Sequence, residues 1–294
     1  MGRRTARWGM AALVGLLLAA LPQVASAAGR PGTTPAPPYY LALGDSLATG
    51  YQPTPAGARG PCGLPYGYAC DLYTALTASD SHLQAANLSC PGETTTSMLT
   101  GVGSPCFSSG PPQLAQALRF LARHRGRVAL VTIDIGANNV DGCIVTGSIS
   151  LTCISQGLRA VARQLPVILA ALRGAAGATV PIVGMNYYDP FLAADLLPGG
   201  ATLAADSLTL TGEFNQLLEG VYRRAGDPVA DVETAFHTFD TTPLTSNGLP
   251  TDAALICEWT WMCDYAPPNI HPNSKGYTVI AGAFEEVSAV ASLL

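Results

Sequence analysis

Tyr39-Tyr40-Leu41-Ala42-Leu43-Gly44-Asp45-Ser46-Leu47 reads as a strand that stops at a turn. The apolar run lacks polar alternation and is too short for a helix face, which suits a strand buried on both sides. Glycine ends it, Asp45 can bond the amides of the turn, and Ser46 stands just past the strand end. Val128-Ala129-Leu130-Val131-Thr132-Ile133 repeats the pattern as a central strand. Shorter strands are expected at 84–88, 179–185 and 228–232. Between them lie helical stretches at 68–78, from Pro111-Pro112-Gln113 through His124, at 154–173 with a bend at Pro166, and at 203–224, with a closing helix over 276–293. Strands alternating with helices predict the α/β class, a three-layer α/β/α sandwich around a central five-stranded parallel sheet. Stretches 188–201 and 236–269 read as long loops, and no internal repeat is visible.

The first 27 residues read as a leader and not as part of the fold. Arg3, Arg4 and Arg7 form a basic start, Ala11 to Leu21 an apolar core, and Ala25-Ser26-Ala27 a small-residue cleavage site. A retained anchor needs about 20 apolar residues, and this run is interrupted by Pro22 and Gln23. The arginine pair matches a twin-arginine export signal only weakly. Residues 28–38, rich in Pro, Gly and Thr, read as a flexible linker to a single domain over 39–294. The expected product is secreted and monomeric, with no stable membrane span.

Formal net charge is −5, and removal of the three leader arginines takes it to −8. This balance argues against nucleic acid as a partner, because phosphate binding needs clustered Lys and Arg. All eight cysteines follow the leader. An even count in an exported chain predicts disulfides. Short spans within and longer gaps between suggest Cys62–Cys70, Cys90–Cys106, Cys143–Cys153 and Cys257–Cys263. Zinc is disfavoured, since no Cys-x-x-Cys spacing occurs and no histidine sits beside the cysteines. No nucleotide loop or metal cluster is apparent, so no cofactor is implied.

In open parallel sheets, ligands bind outside the carboxyl ends of the strands. Ser46, Gly92 and Asn138 follow the first, second and third strands, and so gather at one rim. A serine hydroxyl needs a base within hydrogen-bond reach. Of four histidines, His82 lies in a polar connection, His124 at a helix end between two arginines, and His237 in a loop. His271, in Asn269-Ile270-His271-Pro272-Asn273, precedes the last helix in a proline turn and is the candidate base. Acyl transfer also develops an oxyanion, for which aimed donors contribute about 3–4 kcal/mol each. The N–H of Ser46, the N–H of Gly92 and the side-chain amide of Asn138 are the candidates.

With these residues in order, the chain resembles the SGNH hydrolases, or GDSL esterases and lipases, and most of all their secreted actinobacterial branch. Gly44-Asp45-Ser46-Leu47 is similar to the first block of that family, Asn87-Leu88-Ser89-Cys90-Pro91-Gly92 to the second, Gly136-Ala137-Asn138-Asn139 to the third, and His271 to the histidine of the last. The resemblance covers Tyr39 to Leu294. It implies a flavodoxin-like sandwich, Ser46 as nucleophile, His271 as base, an oxyanion hole of Ser46, Gly92 and Asn138, and an acyl ester or lipid as substrate.

One departure concerns the histidine. The family pattern usually has Asp three residues earlier, where this chain has Pro268. By resemblance to members that use a backbone carbonyl, the C=O of Pro268 or Asn269 is expected to orient His271, with Asp264 as the rival. Asn139 replaces a more usual Asp. Phe191-Leu192, Leu196-Leu197 and Trp259-Thr260-Trp261-Met262 are apolar loop residues that either line an acyl groove or pack locally. A carbohydrate deacetylase and a non-catalytic secreted binding module stand as alternatives to an acyl-ester hydrolase.

Overall fold

The computed structural model describes residues 1–2, 36–53, 66–145, 148–246 and 248–294. Residues 3–27 of the expected leader, residues 28–35 of the expected linker and Cys62 lie outside the described residues. Residues 36–294 form one compact unit.

Its centre is a parallel sheet of five strands: β1 (Tyr39–Gly44), β2 (Gln84–Asn87), β3 (Val128–Asp134), β4 (Ile182–Met185) and β5 (Val229–Ala230), in the spatial order β2-β1-β3-β4-β5. The expected α/β/α sandwich on a five-stranded parallel sheet is what the chain adopts. β1 and β3 are buried almost throughout, with layers on both faces, which is why their sequences run apolar without alternation. Helices α1 (Tyr68–Ser79) and α6 (Ser274–Glu285) pack together, and α2 (Gln113–Arg123), α3 (Leu151–Ala176) and α4 (Ala201–Ala225) form a second packed set.

Several boundaries differ from expectation. α3 runs as one helix through Pro166, as expected, but extends beyond the expected 154–173 at both ends, from Leu151 to Ala176. Proline inside a helix costs about 3 kcal/mol. Val161, Leu165, Ile168, Leu169 and Leu172 are fully buried on either side of it, and at roughly 1.5–3 kcal/mol each their burial outweighs that loss. The closing helix stops at Glu285 and a short turn of helix resumes at Ser288, because Val287 is extended. The stretch 236–269 is not loop throughout: α5 (Thr251–Trp259) lies inside it. Only nine residues long and apolar on most faces, α5 has no clear helical period in the sequence. Likewise Pro190–Leu196 forms a 3-10 segment capped by the Asp189 side chain.

Candidate active site

β1 delivers Gly44 at φ +132°, a region open mainly to glycine, and a Cβ there would collide with Asp134. Reciprocal bonds between the Gly44 backbone and the Gln113 side chain, 2.8 and 2.9 Å, pin the strand end. Asp45 then caps a single helical turn, Ser46–Thr49, by accepting from Leu47 N at 3.0 Å. Beneath the turn, Asp134 accepts from the backbone of Asp45 and Ala48 and from Tyr68 Oη at 2.5 Å. Asp134 and Gln113 were not singled out from sequence. The available signal was a carboxylate at the carboxyl end of an otherwise apolar strand.

Burial pushes the Asp45 carboxyl up to about 6, and hydrogen bonds to its ionised form offset part of that rise. Burial, with Asp45 beside it, raises Asp134 well above the carboxylate range. Two buried carboxyls this close do not both ionise readily.

His271 reaches Ser46 across the rim: Nε2 lies 2.8 Å from Ser46 Oγ. On its other side Nδ1 is 2.8 Å from Asn269 Oδ1, and the His271 backbone N–H donates to the same oxygen at 3.0 Å. The group facing His271 Nδ1 is thus the Asn269 side chain. This corrects the expected backbone carbonyl of Pro268 or Asn269, and Asp264 stands exposed. A one-residue Asx-type return brings that side chain to the ring, a local geometry that residue spacing alone does not distinguish from a carbonyl contact. The Tyr51 ring lies 4.3 Å from the imidazole, and burial holds His271 down at about 4.

The histidine loop is braced by residues from distant elements. Tyr188 Oη donates to Ile270 O at 2.7 Å, Trp261 N donates to His271 O at 3.0 Å, and Trp261 Nε1 donates to Gln52 at 2.8 Å. Trp259 packs edge-on against Phe236. The Trp259–Met262 stretch therefore supports the loop and does not line the cavity beside Ser46. Leu192 is buried and Leu197 exposed; of the proposed groove residues, Phe191 lines that cavity.

Gly92 follows β2 at φ +79°. Asn138 follows β3, and its Nδ2 donates to Asp45 Oδ2 and to Glu93 O, both at 3.1 Å. One amide thus ties together the three strand-end loops. Both of its hydrogens are engaged, a constraint invisible in the sequence. Asn139 exchanges hydrogen bonds with Thr95.

Disulfides join Cys90 to Cys106, Cys143 to Cys153 and Cys257 to Cys263. They flank the Gly92 loop, the segment after Asn138 and the segment paired with His271. The Cys62–Cys70 pairing involves a residue outside the described ones.

Beside Ser46 and His271 opens a cavity of about 780 Å³, its mouth included. Ile144, Ile154, Leu158, Phe191, Leu210 and Phe214 supply an apolar wall. Among the described residues, no helix is long and apolar enough to cross a membrane.

Three comparisons bear on this arrangement. The sequence profile of the GDSL-like lipase/acylhydrolase family matches residues 42–279. No curated protein sequence matches the chain. Among solved structures, an extracellular lipase from Streptomyces rimosus is similar in fold at 20% identity and TM-score 0.54, covering 84% of this chain and 99% of that one. An acetylxylan esterase from Geobacillus stearothermophilus is similar at 15% identity and TM-score 0.51, covering 84% and 92%. At such identities the likeness to these two is one of fold. The family match spans four-fifths of the sequence, from within β1 into α6, and by it the chain belongs to the GDSL-like lipase/acylhydrolase family of carboxylic ester hydrolases.

Proposed function

We propose that the protein is an exported serine esterase or lipase in which Ser46 and His271 act as nucleophile and base on acyl esters. The observation that carries this reading is the 2.8 Å contact of Ser46 Oγ with His271 Nε2. A backbone N–H can only donate, so the Asn269 atom facing it is the oxygen. The Nδ1 that shares this oxygen therefore carries the ring proton, and Nε2 presents a lone pair to the serine. Depression of the imidazole to about 4 by burial keeps that lone pair free at neutral pH.

Ser46 Oγ attacks the ester carbonyl while Nε2 takes the hydroxyl proton. The carbonyl π pair moves to oxygen, where the N–H groups of Ser46 and Gly92 and the Asn138 amide receive the negative charge. Asn138 does so by sharing a hydrogen now given to Asp45 or Glu93. Collapse expels the alcohol, which leaves with the proton from Nε2. Water, deprotonated by the same nitrogen, then releases the acid and restores Ser46. Asn269 holds the tautomer, and the π face of Tyr51 favours the transient imidazolium.

The apolar wall fits an acyl chain better than a sugar, which favours a lipid or medium-chain ester over a carbohydrate acetate. Three disulfides fit an oxidising compartment. A fluorophosphonate probe tests the assignment: it labels Ser46 and is blocked by Ser46→Ala. An unlabelled wild-type protein overturns the reading. A series of nitrophenyl esters from acetyl to palmitoyl is expected to peak above acetyl, and a flat response removes the acyl-chain preference.

A further inference from the structure

The cavity wall is not wholly apolar. Asp141 lines it, half-buried, and its carboxyl has no hydrogen-bond partner or counter-ion among the described residues. Tyr187 lines the same cavity at 5% exposure, and its hydroxyl is also without a partner among the described residues. Away from Ser46 and His271 the wall also carries the hydroxyls of Ser207 and Thr211, of which Ser207 is occupied, donating to Ala204 O at 3.0 Å. A buried polar group left unpaired costs about 1–3 kcal/mol. The Tyr187 hydroxyl carries that cost unless a ligand pairs it, and the half-buried, unpartnered Asp141 carboxyl lines the same cavity.

Resting on the ester-hydrolase reading of Ser46, we propose that Asp141 and Tyr187 recognise a hydrogen-bond donor, a hydroxyl or an ammonium, carried on the part of the ester that enters this cavity. The preferred substrates are accordingly hydroxylated or amino-substituted acyl or alkyl esters, and not plain hydrocarbon ones. Burial, with Asp45 and Asp189 nearby, pushes the Asp141 carboxyl up to about 8. At neutral pH it both donates and accepts, which matches an alcohol. An arriving ammonium ionises it and gains a charge-assisted bond. The same crowd of acids, with no Lys or Arg on the cavity wall among the described residues, opposes a carboxylate in this place. The disulfide Cys143–Cys153 ties together the two segments carrying Asp141, Ile144 and Ile154, and so holds this wall in shape.

The test compares kcat/KM for nitrophenyl esters of butanoic to octanoic acid with those of the matching terminal hydroxy, amino and carboxy acids. The same comparison is made for acetates of simple alcohols, diols and amino alcohols, since either half of the ester can occupy the cavity. Wild-type protein is expected to favour the hydroxy or amino substrate about ten- to a hundredfold at the chain length that reaches Asp141, and to disfavour the carboxylate. Asp141→Leu and Tyr187→Phe are each expected to reduce that ratio about tenfold or more. Equal rates on plain and substituted esters throughout both series overturn the inference, as does a preference that survives both substitutions, or a preference for the carboxylate. Wild type that cleaves plain esters without preference overturns this inference alone. Wild type that cleaves no ester overturns the hydrolase reading of Ser46 and this inference with it.

Discussion

Asn269 Oδ1 accepts from both the backbone N–H and the ring Nδ1 of His271, at 3.0 and 2.8 Å. The first bond sets which atom of the amide faces the ring, and the second sets which ring nitrogen carries the proton. A neutral amide thus occupies the place that a carboxylate holds in a Ser-His-Asp arrangement.

Asn269→Ala is expected to lower kcat about ten- to a hundredfold with little change in KM, since orientation and not substrate contact is lost. Asn269→Asp retains the acceptor and adds charge, so it should recover much of the rate and move the acid limb of the kcat/KM profile upward. Asp264→Asn should stay within about threefold of wild type. A thousandfold fall there would make Asp264 the orienting group.

The Asn138 amide has two assignments that kinetics separates. As an oxyanion donor it contributes about 10²–10³ in kcat. As a tie between Asp45 and Glu93 alone, its loss shows in thermal stability and not in kcat. Asn138→Ala is expected to reduce kcat by that factor at near-constant KM. A change confined to melting temperature points to the tie.

Burial lowers His271 to about 4, so the base stays unprotonated well below the usual histidine range. Measured from pH 3.5 to 8, kcat/KM on a neutral ester should hold its value through pH 6 and fall with an apparent pKa near 4 to 5. A limb near 6.5 places the free imidazole in water.

Stability has the opposite slope. Asp45 and Asp189 are raised to about 6 and Asp141 to about 8, each by burial. In the unfolded chain these groups ionise near 4, so above that pH the folded state binds more protons. Their contribution is full below about pH 4 and is lost as pH rises through 6 to 8. His271, lowered in the fold, works the other way between 6.5 and 4, but it is one group against several. The melting temperature is expected to be higher at pH 5 than at pH 8, and the reverse order contradicts the burial of these carboxyls.

The three disulfides flank loops that carry Gly92, Asn138 and His271, with sequence separations of 16, 10 and 6. In the chain-entropy picture a loop of about 15 residues contributes about 3 kcal/mol, and shorter loops less. The sheet core lies elsewhere. Reductant titration should therefore diminish ester hydrolysis before far-UV circular dichroism changes. Simultaneous loss of both signals would assign the bridges to global stability.

Much of this protein was legible in the chain itself. The runs at 39–44 and 128–133 are apolar but for Thr132 and show no polar alternation, because strands covered on both faces have no solvent side to encode. The positions of Ser46, Gly92 and Asn138 after successive strands put them at one rim, since parallel strands end on the same side of a sheet. What only the tertiary structure decided lies where side chains from remote loops meet. The Asn269 side chain, and not a backbone carbonyl, faces His271. Trp259 and Trp261 brace a loop where a groove was conceivable. α5 forms in a stretch without visible period, and Asp141 and Tyr187 line one cavity though 46 positions apart. Strand periodicity is a property of neighbouring residues and is written locally. The partner of a side chain depends on how loops from different strands close over the sheet, and no local pattern carries that information.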